Sequence, residues 1–398
     1  AEGTEVTASP TVRHKGNMPA PSTTRTLMVT IDRLPAWILP AWGSTWVAMP
    51  TLDALAGRGV VFDRVIVRGD DDLATLRDLG LAGLGADAAL ITDAASVAAI
   101  AGGAARLVEA TARPVPAADA AGTNLGQLMA AAREAVASGR HDMVWVHAAS
   151  LGVAWDAPAE CRAAYVDPED PLPYTSAAVP DLVVNADTDP DLVVGIRQAY
   201  AGQLTHLDAC LGPLLEAAAG WHVLVAGVRG IGLGLHGRVG TGPMPPFGEL
   251  VHVPAILADA TGRMAAQRFG GLVVPADLGA TLRALRGGPP ARPAAEAPWQ
   301  GRSLADLLVD WSVVGRDRVV VAAGHGGAVV TSGWHVVAAA NEPPRLFHKP
   351  DDYFELCDVA DRCPAVVEEL GPPAAAAAAG DTDRGWLTPL SDAAIDGL

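Results

Sequence analysis

Short apolar runs alternate along the chain with longer segments rich in alanine and leucine, and this alternation restricts the fold more than any other feature. Four of the runs, at 26–32, 60–67, 143–147 and 222–226, end at a polar residue or lead into a charged or glycine-rich turn. Strands that are apolar throughout are typical of a sheet covered on both faces, and helices between them are typical of parallel connections. The order therefore predicts an α/β protein with a large, mostly parallel mixed sheet between helices.

Five segments have the composition or the amphipathic spacing of helices. They are 51–59, 72–86, 93–110, 124–139 and 191–219. Asn124 is placed to cap the fourth helix, and Gly139 is placed to end it. Thr51 is a candidate cap of the first helix, although Met49-Pro50 just before it can shift the start.

Composition divides the chain into four parts. Residues 250–258 and 273–285 continue the α/β pattern, and a Gly- and Pro-rich linker follows at 287–298. Beyond the linker, 319–324 and 335–340 predict two short strands with a Gly-rich join, as a small antiparallel unit. The predicted parts are a flexible lead at 1–25, an α/β core at 26–290, a small C-terminal subdomain at 291–370 and an Ala-rich, polar tail at 371–398.

Charge and cysteine content exclude several classes of function. The net charge of −17 argues against nucleic-acid binding, which needs clustered Lys and Arg, and no run reaches the ~18 apolar residues of a membrane span. No C-x-x-C pair occurs, which argues against zinc and thioredoxin-type sites. Cys357 and Cys363 can pair in an oxidising compartment, but free thiols are the favoured interpretation. The N-terminus has no signal layout, which slightly favours the cytoplasm over export, although a processed exported chain would look the same.

Several motifs occur in an order that resembles one enzyme family. They include V-T-I-D-R-L-P-A-W at 29–37, M-P-T-L-D-A-L-A-G-R-G-V-V-F at 49–62, L-G-L-H-G at 233–237 and E-L-V-H-V-P-A-I-L at 249–257. From about Thr26 to Leu370 the chain is similar to a bacterial member of the sulfatase branch of the alkaline-phosphatase superfamily. The resemblance implies a large mixed sheet between helices, with a smaller C-terminal antiparallel subdomain.

The resemblance also implies a metal centre, of which little remains in this sequence. The family holds a divalent metal, usually Ca²⁺, with six to eight oxygen ligands. Asp32 matches the first metal acid, but Arg33 stands where many sulfatases have a second acid. The next pair of ligands falls on Val228 and Arg229. Asp32 is therefore at most a vestigial ligand in a site expected to be empty, and no cofactor is expected.

The residues that perform the family's chemistry are also replaced. The nucleophile derives from Cys or Ser in a C/S-x-P-S-R motif, and aligning Arg77 with the motif's Arg puts Leu73 at the nucleophile. The catalytic Lys falls on Thr241, and a substrate-binding His falls on Gly152. What is left is a vestigial site without a confident catalytic residue. Its members are Arg77, His147, Arg229 and His236.

The charged residues near this site have simpler interpretations as well. Asp32 can be an acid at a strand end that pairs with Arg229 or caps a helix, and this is favoured over a ligand. Arg33 and Arg229 either bind an anion or neutralise Asp32. The run at 70–72 is interpreted as a solvated loop rather than a new metal or partner surface. The two histidines of the vestigial site are interpreted as a structural residue and as part of a retained loop.

Three functions remain open. The first is a pseudoenzyme that binds an unknown protein partner or an anionic ligand through the arginines of the old cleft. These are Arg33, Arg77, Arg229 and Arg238. The second is an active sulfate or phosphate ester hydrolase, dependent on Ca²⁺ or another divalent metal, with an atypical centre. That centre would use Asp70, Asp71, Asp72, His147 and His236. The third is a subunit of a larger bacterial assembly, contacted through the acidic surface and segment 166–191.

Overall fold

The apolar runs form the centre of one large sheet. The computed structural model describes residues 24–172, 174–288, 301–305, 316–380, 391 and 394. The expected lead at 1–25, apart from its last two residues, lies outside the described residues, as do most of the linker and most of the tail. The strands in the described part are β1 (Thr26–Ile31), β2 (Val60–Ile66), β3 (Ala88–Thr92), β4 (Ala105–Leu107), β5 (Met143–Ala148), β6 (Leu182–Val183), β7 (His222–Gly227), β8 (Gly232–Leu233), β9 (Arg238–Gly240), β10 (His252–Ala258), β11 (Gln267–Val273), β12 (Arg318–Ala323), β13 (Gly326–Thr331), β14 (Trp334–Ala338) and β15 (Arg345–His348).

Helices separate most of the strands, as the alternation predicts. In the same residues they are α1 (Pro50–Arg58), α2 (Asp72–Leu79), α3 (Ala95–Ala101), α4 (Asn124–Ala137), α5 (Ala159–Ala163), α6 (Pro190–Ala217), α7 (Gly248–Val251), α8 (Pro275–Leu285) and α9 (Pro364–Ala378). No helix among them is long and apolar enough to cross a membrane. The four cysteines are all free thiols.

The large sheet has eight strands in the order β11-β2-β10-β7-β1-β5-β3-β4. Its neighbours pair in parallel except at β10, which runs antiparallel to both β2 and β7. The predicted mostly parallel mixed sheet is therefore confirmed. Because β1, β2, β5 and β7 point the same way, their carboxyl ends meet at one edge of the sheet, where open α/β sheets place their ligands.

Both faces of the sheet are covered, and the side chains of β1 show how. Leu27, Val29 and Ile31 pack with α4 and α6 in one apolar cluster, whereas Met28 points to the other face and packs with α2 and α8. This alternation follows from the two-residue period of a strand. A sheet buried on both sides explains why the sequence of β1 is apolar at every position but the threonines.

The C-terminal subdomain is a separate antiparallel sheet of four strands, β12-β13-β14-β15, rather than the two strands expected. The Gly-rich join predicted between them contains β13, whose glycines Gly326 and Gly327 lie against the backbone of β14 and α9. Helix α9 packs on one face through Leu370 and Ala374. It runs to Ala378 and so continues past residue 370, where the tail was expected to begin.

Two local predictions were wrong for identifiable reasons, and the first helix has the shifted start that the sequence left open. Segment 93–110 is not one helix, because β4 follows the short α3 and pairs in parallel with β3. Alanine, which fills this segment, also fits a strand at the end of a covered sheet. The cap of α4 is Thr123, whose hydroxyl accepts the N–H of Gly126 at 2.9 Å, while the Asn124 side chain bonds to Thr111. Helix α1 begins at Pro50 because Asp208 accepts the N–H of both Thr51 and Leu52.

Candidate functional site

Two aspartates and two arginines meet at the carboxyl edge of the sheet. Asp32 and Arg33 directly follow β1, Arg229 follows β7, and Asp72 opens α2 after β2. The turn after β7 is tied to β1 by two backbone hydrogen bonds, from Val228 N to Ile31 O at 2.9 Å and from Leu34 N to Arg229 O at 2.7 Å. We call Asp32, Arg33, Asp72 and Arg229 the edge cluster.

One guanidinium nitrogen bridges the two carboxylates of the edge cluster. Arg33 Nη1 lies 2.6 Å from Asp32 Oδ1 and 3.2 Å from Asp72 Oδ2. Arg229 Nε lies 3.2 Å from Asp72 Oδ1, and its Nη1 donates to the carbonyl of Asp70 at 3.0 Å. The side chains of Arg33, Arg229 and Asp32 are about nine-tenths buried. The expected pairing of Asp32 with Arg229 is thus replaced by a closer contact with Arg33.

The backbone of Arg33 is held in an unusual conformation. Its φ of +61° lies in the left-handed region, which costs a residue with a side chain about 1 kcal/mol or more. Its N–H donates to Asp32 Oδ1 at 2.8 Å, and its carbonyl accepts the Tyr200 hydroxyl at 2.5 Å. Its side chain lies over Gly152, where an added Cβ would come within 3.3 Å of Arg33 Cγ. These contacts fix the guanidinium over the end of β1.

The acidic run at 70–72 is only partly the solvated loop that its composition suggested, because Asp70 and Asp71 are exposed whereas Asp72 is partly buried. Asp71 caps α2 by accepting the N–H of Ala74 at 2.8 Å, and this cap turns Asp72 toward the edge cluster. The carboxylate of Asp70 accepts the N–H of Gly324 from the small sheet at 3.0 Å. The position of this run directly after β2 was the signal that could have placed it at the sheet edge.

Burial and charge act in opposite directions on the edge cluster. Burial raises the pKa of Asp32, and the guanidiniums of Arg33 and Arg229 oppose that rise. Burial and the neighbouring Asp32 raise the pKa of Asp72, again against the two arginines. The pKa of Arg229 is lowered, first by burial and next by Arg33. The two arginines oppose the effect of burial on both carboxylates, and the four side chains together carry no net charge when all are charged.

The edge cluster does not fit a divalent cation. A Ca²⁺-type site needs six to eight oxygens with a surplus of negative charge. Here the two carboxylates share a guanidinium nitrogen, and a second guanidinium lies beside Asp72. Within the residues that the structure describes, no group of three His, Cys, Asp or Glu side chains is arranged to hold a metal.

A polar cavity of about 270 Å³ opens beside the edge cluster. Arg33 and Arg229 line it from the large sheet, the segment from Gly240 to Met244 lines it from the turn after β9, and His325 lines it from the β12–β13 hairpin. The two arginines bring positive charge to its wall. Their Nε atoms are buried and make no hydrogen bond to a described residue, and that of Arg229 lies 3.2 Å from Asp72 Oδ1 without being aligned with it.

Both histidines of the vestigial site are engaged in the fold. His147 is buried in β5, its Nδ1 lies 3.1 Å from Thr30 Oγ1, and burial lowers its pKa to about 4. His236 Nδ1 lies 2.8 Å from Glu249 Oε1, its Nε2 lies 3.2 Å from the Glu355 carbonyl, and its ring stacks on Phe247. Their interpretation as structural residues agrees with this geometry.

The other two arginines of the predicted cleft lie outside it. Arg77 is exposed in the last turn of α2, because Thr75, Leu76 and Leu79 form the buried face of that helix. Arg238 pairs with Asp181 at 2.5 Å beside the turn. The structure thus brings Arg33 and Arg229 together and leaves Arg77 and Arg238 apart from them.

Sequence reasoning missed Asp93, which follows β3 at the same edge of the sheet. Its carboxylate accepts the N–H of Ala149 at 2.6 Å and that of Ser150 at 3.0 Å, and burial raises its pKa to about 6. It therefore fixes the loop after β5, in which Gly152 lies under Arg33. Its place after an alanine-rich strand that was not predicted explains the omission.

The turn after β7 keeps a glycine for steric reasons. A Cβ on Gly230 would lie 1.9 Å from the carbonyl oxygen of Glu249, which no adjustment of a side chain can relieve. Gly230 N donates to the Leu250 carbonyl at 2.8 Å. Close packing of this turn on α7 therefore requires glycine, whatever stands at the two positions before it.

Solved structures resemble this chain over nearly its full length. The phosphonate monoester hydrolase of Agrobacterium radiobacter has a TM-score of 0.69 at 16% identity, covering 93% of this chain and 98% of its own. A 2-O GAG sulfatase has a TM-score of 0.65 at 15% identity, covering 87% and 90%. The chain has the sulfatase fold. A phosphonate monoester hydrolase from Silicibacter pomeroyi shares it at a TM-score of 0.62 and 16% identity, covering 88% of this chain and 93% of its own.

The sulfatase fold is established by shape alone. No protein-family model matches the chain, and no curated protein matches it in sequence. The likeness to the sulfatase branch of the alkaline-phosphatase superfamily thus concerns the large mixed sheet, its helices and the small C-terminal sheet, as the motifs predicted. What the chain does with this fold has to be argued from the edge cluster.

Proposed function

We propose that this chain is a non-hydrolytic sulfatase-fold protein, a pseudoenzyme in which an ion-pair network replaces the metal centre. The observation that carries the proposal is the bridging of Asp32 and Asp72 by a single guanidinium nitrogen of Arg33. A bound arginine supplies the positive charge that two converging carboxylates require. It has no vacant coordination position, so it cannot polarise an ester or activate a nucleophile as a metal does.

The replacements support one another physically. The motif alignment puts Gly152 where the family has a substrate-binding His, and Arg33 occupies the space that a side chain at 152 would fill. It puts Leu73 at the nucleophile, and a Leu side chain has no group that can attack an ester. Two of the changes thus occur at positions that touch each other.

Metal content and ester hydrolysis test the proposal together. The purified chain should contain no stoichiometric Ca²⁺, Mg²⁺, Mn²⁺ or Zn²⁺, and should show no saturable binding of these ions at millimolar concentration. It should not hydrolyse 4-nitrophenyl sulfate, 4-nitrophenyl phosphate or a 4-nitrophenyl phosphonate monoester. The proposal fails if metal and hydrolysis are both present, are both lost in Asp32→Ala, and are both kept in the matched control Asp187→Ala, which changes an exposed aspartate that is not part of the edge cluster.

The competing function is an active hydrolase with an atypical centre. Its proposed histidines, His147 and His236, are already bonded to Thr30 and Glu249, and Asp71 is used as a helix cap. The same experiment decides between the two functions, since only the hydrolase requires turnover.

An anionic ligand is the second candidate function, because Arg33 and Arg229 both line the cavity beside the edge cluster. Against it stands the carboxylate of Asp70, which also lines the cavity. Calorimetric titration with sulfate and with phosphate tests it. Binding that is lost in Arg229→Met and kept in Arg77→Met would support an anion site at this place. Equal binding by both variants, or no binding by the wild type, would rule out an anion site at this place.

A role as a subunit of a larger assembly is a further proposal, with the acidic surface and segment 166–191 as its contact region. Native mass spectrometry of the chain isolated from its own cells tests it. A discrete complex that dissociates when the segment is altered would support the proposal, and a monomer in every fraction would oppose it.

A further inference from the structure

A second cavity, of about 380 Å³, lies beneath the small sheet and apart from the edge cluster. The strand β2 and its neighbour β11 form one side, β13 and β14 form the other, and α7 closes one end. The apolar part of the wall comes from five segments of the chain. Its members are Trp42, Ile66, Val251, Val330, Pro350 and Tyr353. The indole of Trp42 is fixed as a wall by its Nε1, which donates to the Phe62 carbonyl at 3.2 Å.

One fully buried carboxylate organises the polar part of the wall. Glu355 accepts from His335 Nδ1 at 2.6 Å, from Lys349 Nζ at 2.8 Å and from Gly248 N at 2.7 Å. These partners hold the pKa of Glu355 well below its usual range despite its burial. The residue has a φ of +58°, a strained conformation that persists where surrounding contacts fix it. We call Glu355, His335 and Lys349 the buried hub.

Two buried polar atoms belong to residues of the cavity wall and have no hydrogen-bond partner among the described residues. His335 Nδ1 is held by Glu355, while its Nε2 makes no hydrogen bond to a described residue. The same holds for the hydroxyl of Tyr353. Buried polar groups are normally hydrogen-bonded, so these two residues bring unsatisfied polar groups to the surroundings of the cavity.

The cavity carries an excess of positive charge in an acidic protein. Three cationic and two anionic side chains line it, and the net charge of the whole chain is −17. Both anionic side chains are already in ion pairs, since Asp63 pairs with Arg268 at 2.5 Å and Glu355 pairs with Lys349. Arg64 donates to the carbonyls of Ser332 and Gly270, and no carboxylate among the described residues lies at ion-pair distance from it. Its guanidinium is the charge left over.

We propose that this cavity binds a small organic monoanion with an apolar body, of the class of aryl- or alkyl-substituted carboxylic acids. The carboxylate would lie at Arg64, and the apolar body would lie against Trp42 and Tyr353. Cavities of this size that combine an apolar wall with a few convergent polar groups are the usual form of small-molecule sites. The inference does not depend on the edge cluster and holds whether or not the chain hydrolyses esters.

Calorimetric titration with 1-naphthaleneacetate, phenylacetate and octanoate tests the proposal, with 1-naphthaleneacetamide as the neutral counterpart. At least one acid should bind with one-to-one stoichiometry. The amide should bind at least about tenfold more weakly than its acid, because a charge-assisted hydrogen bond is lost. Arg64→Met should weaken binding of the acid about 10- to 100-fold. Arg106→Met, which removes an exposed arginine elsewhere, should leave it unchanged.

A graded pair of substitutions at one backbone position places the ligand in the cavity. Gly270 lies on an edge strand beside the mouth, and a Cβ there would meet only Asp63 Oδ2 at 3.8 Å, so larger residues can be added without a clash at the backbone. Gly270→Ala should bind as the wild type does, and Gly270→Trp should abolish binding. Absence of binding by all three acids, equal binding of the amide, or binding unchanged in Gly270→Trp would each overturn the proposal.

Discussion

The edge cluster and the buried hub are both groups of buried charges beside a cavity, but their carboxylates differ in how they are satisfied. Glu355 of the hub accepts three hydrogen bonds, and its pKa is lowered in spite of burial. Asp32 and Asp72 of the edge cluster share the guanidinium nitrogen of Arg33, and burial raises their pKa in spite of two arginines. In the hub, hydrogen bonds outweigh the cost of burying the carboxylate. In the edge cluster, the positive charges of the arginines do not outweigh that cost.

This difference identifies which buried charges stabilise the fold. A buried ion pair contributes to stability only if further hydrogen bonds satisfy its remaining lone pairs and protons. The hub meets that condition at its carboxylate. The edge cluster leaves the Nε atoms of both arginines unbonded. We therefore expect the two groups to respond differently to the same kind of substitution.

The largest effect is expected at the hub. Glu355→Gln leaves Lys349 and His335 without their carboxylate, and breaking a buried pair on one side costs about 3–5 kcal/mol. Because the pKa of Glu355 is lowered by folding, its contribution is present above the unfolded-state pKa and is lost as the pH falls. Urea unfolding at neutral pH measures the loss. Glu342→Gln, which alters an exposed pair with Arg345, should cost less than about 1 kcal/mol. Equal costs would contradict the comparison.

The second largest effect is expected for His147→Gln, which should change how stability depends on pH. His147 lies in β5, the strand beside β1. Folding lowers the pKa of His147 to about 4, so between that value and 6.5 the unfolded chain binds more protons and stability falls as the pH falls. The wild type should lose up to about 3 kcal/mol over this interval through His147, and the variant should not. His252 and Asp93 titrate in the same range and are common to both chains. Urea unfolding at a series of pH values measures the difference, with His141→Gln as control. Parallel curves for wild type and variant would remove this assignment.

Replacing one acid of the edge cluster should have a smaller effect. Asp32→Asn keeps an acceptor for Arg33 and removes a charge that burial already disfavours, so we expect a loss of about 1 kcal/mol. The same unfolding measurement applies, side by side with Glu355→Gln. If Asp32→Asn lowers the free energy of unfolding as much as Glu355→Gln does, the two groups stabilise the fold equally and the contrast between them is wrong.

The smallest effect is expected for Arg77→Ala. This arginine is exposed in the last turn of α2, so its removal should change stability by less than about 0.5 kcal/mol. It should also leave any anion binding beside the edge cluster unaltered. A clear loss of sulfate or phosphate binding in this variant would return Arg77 to the cleft where the motif alignment had put it.

The sequence was a good guide to the architecture and to three of the four residues of the edge cluster. Strands β1 and β7 are unbroken apolar runs, so the residues that follow them, Asp32, Arg33 and Arg229, could be placed together at the sheet edge. Asp72 was interpreted as part of a solvated loop, because a run of three acids is normally solvated, or as a member of an atypical hydrolase centre. Its orientation depends on the cap formed by Asp71, which is a detail of local hydrogen bonding.

For Arg77, the motif alignment and the helical periodicity point to different places. The alignment gave it the position of a catalytic arginine, but the apolar residues of α2 at 76 and 79 turn position 77 to the solvent. The second cavity lay beyond the reach of sequence reasoning altogether. Its wall combines residues from Trp42 to Glu355, and no local pattern reports which distant segments will share a space.

In the turn at Val228-Arg229-Gly230, the residue that fixes the path of the backbone differs from the residues that would carry the chemistry. Gly230 is fixed because the Glu249 carbonyl leaves no room for a Cβ, whereas Val228 and Arg229 stand at the positions where the resemblance puts metal ligands. A loop of this kind can exchange its reactive groups and keep its path, since the shape is maintained by a neighbouring backbone rather than by the ion it would hold. Shape and reactivity can then diverge independently, so the recognisable outline of such a loop is evidence of ancestry and not of activity.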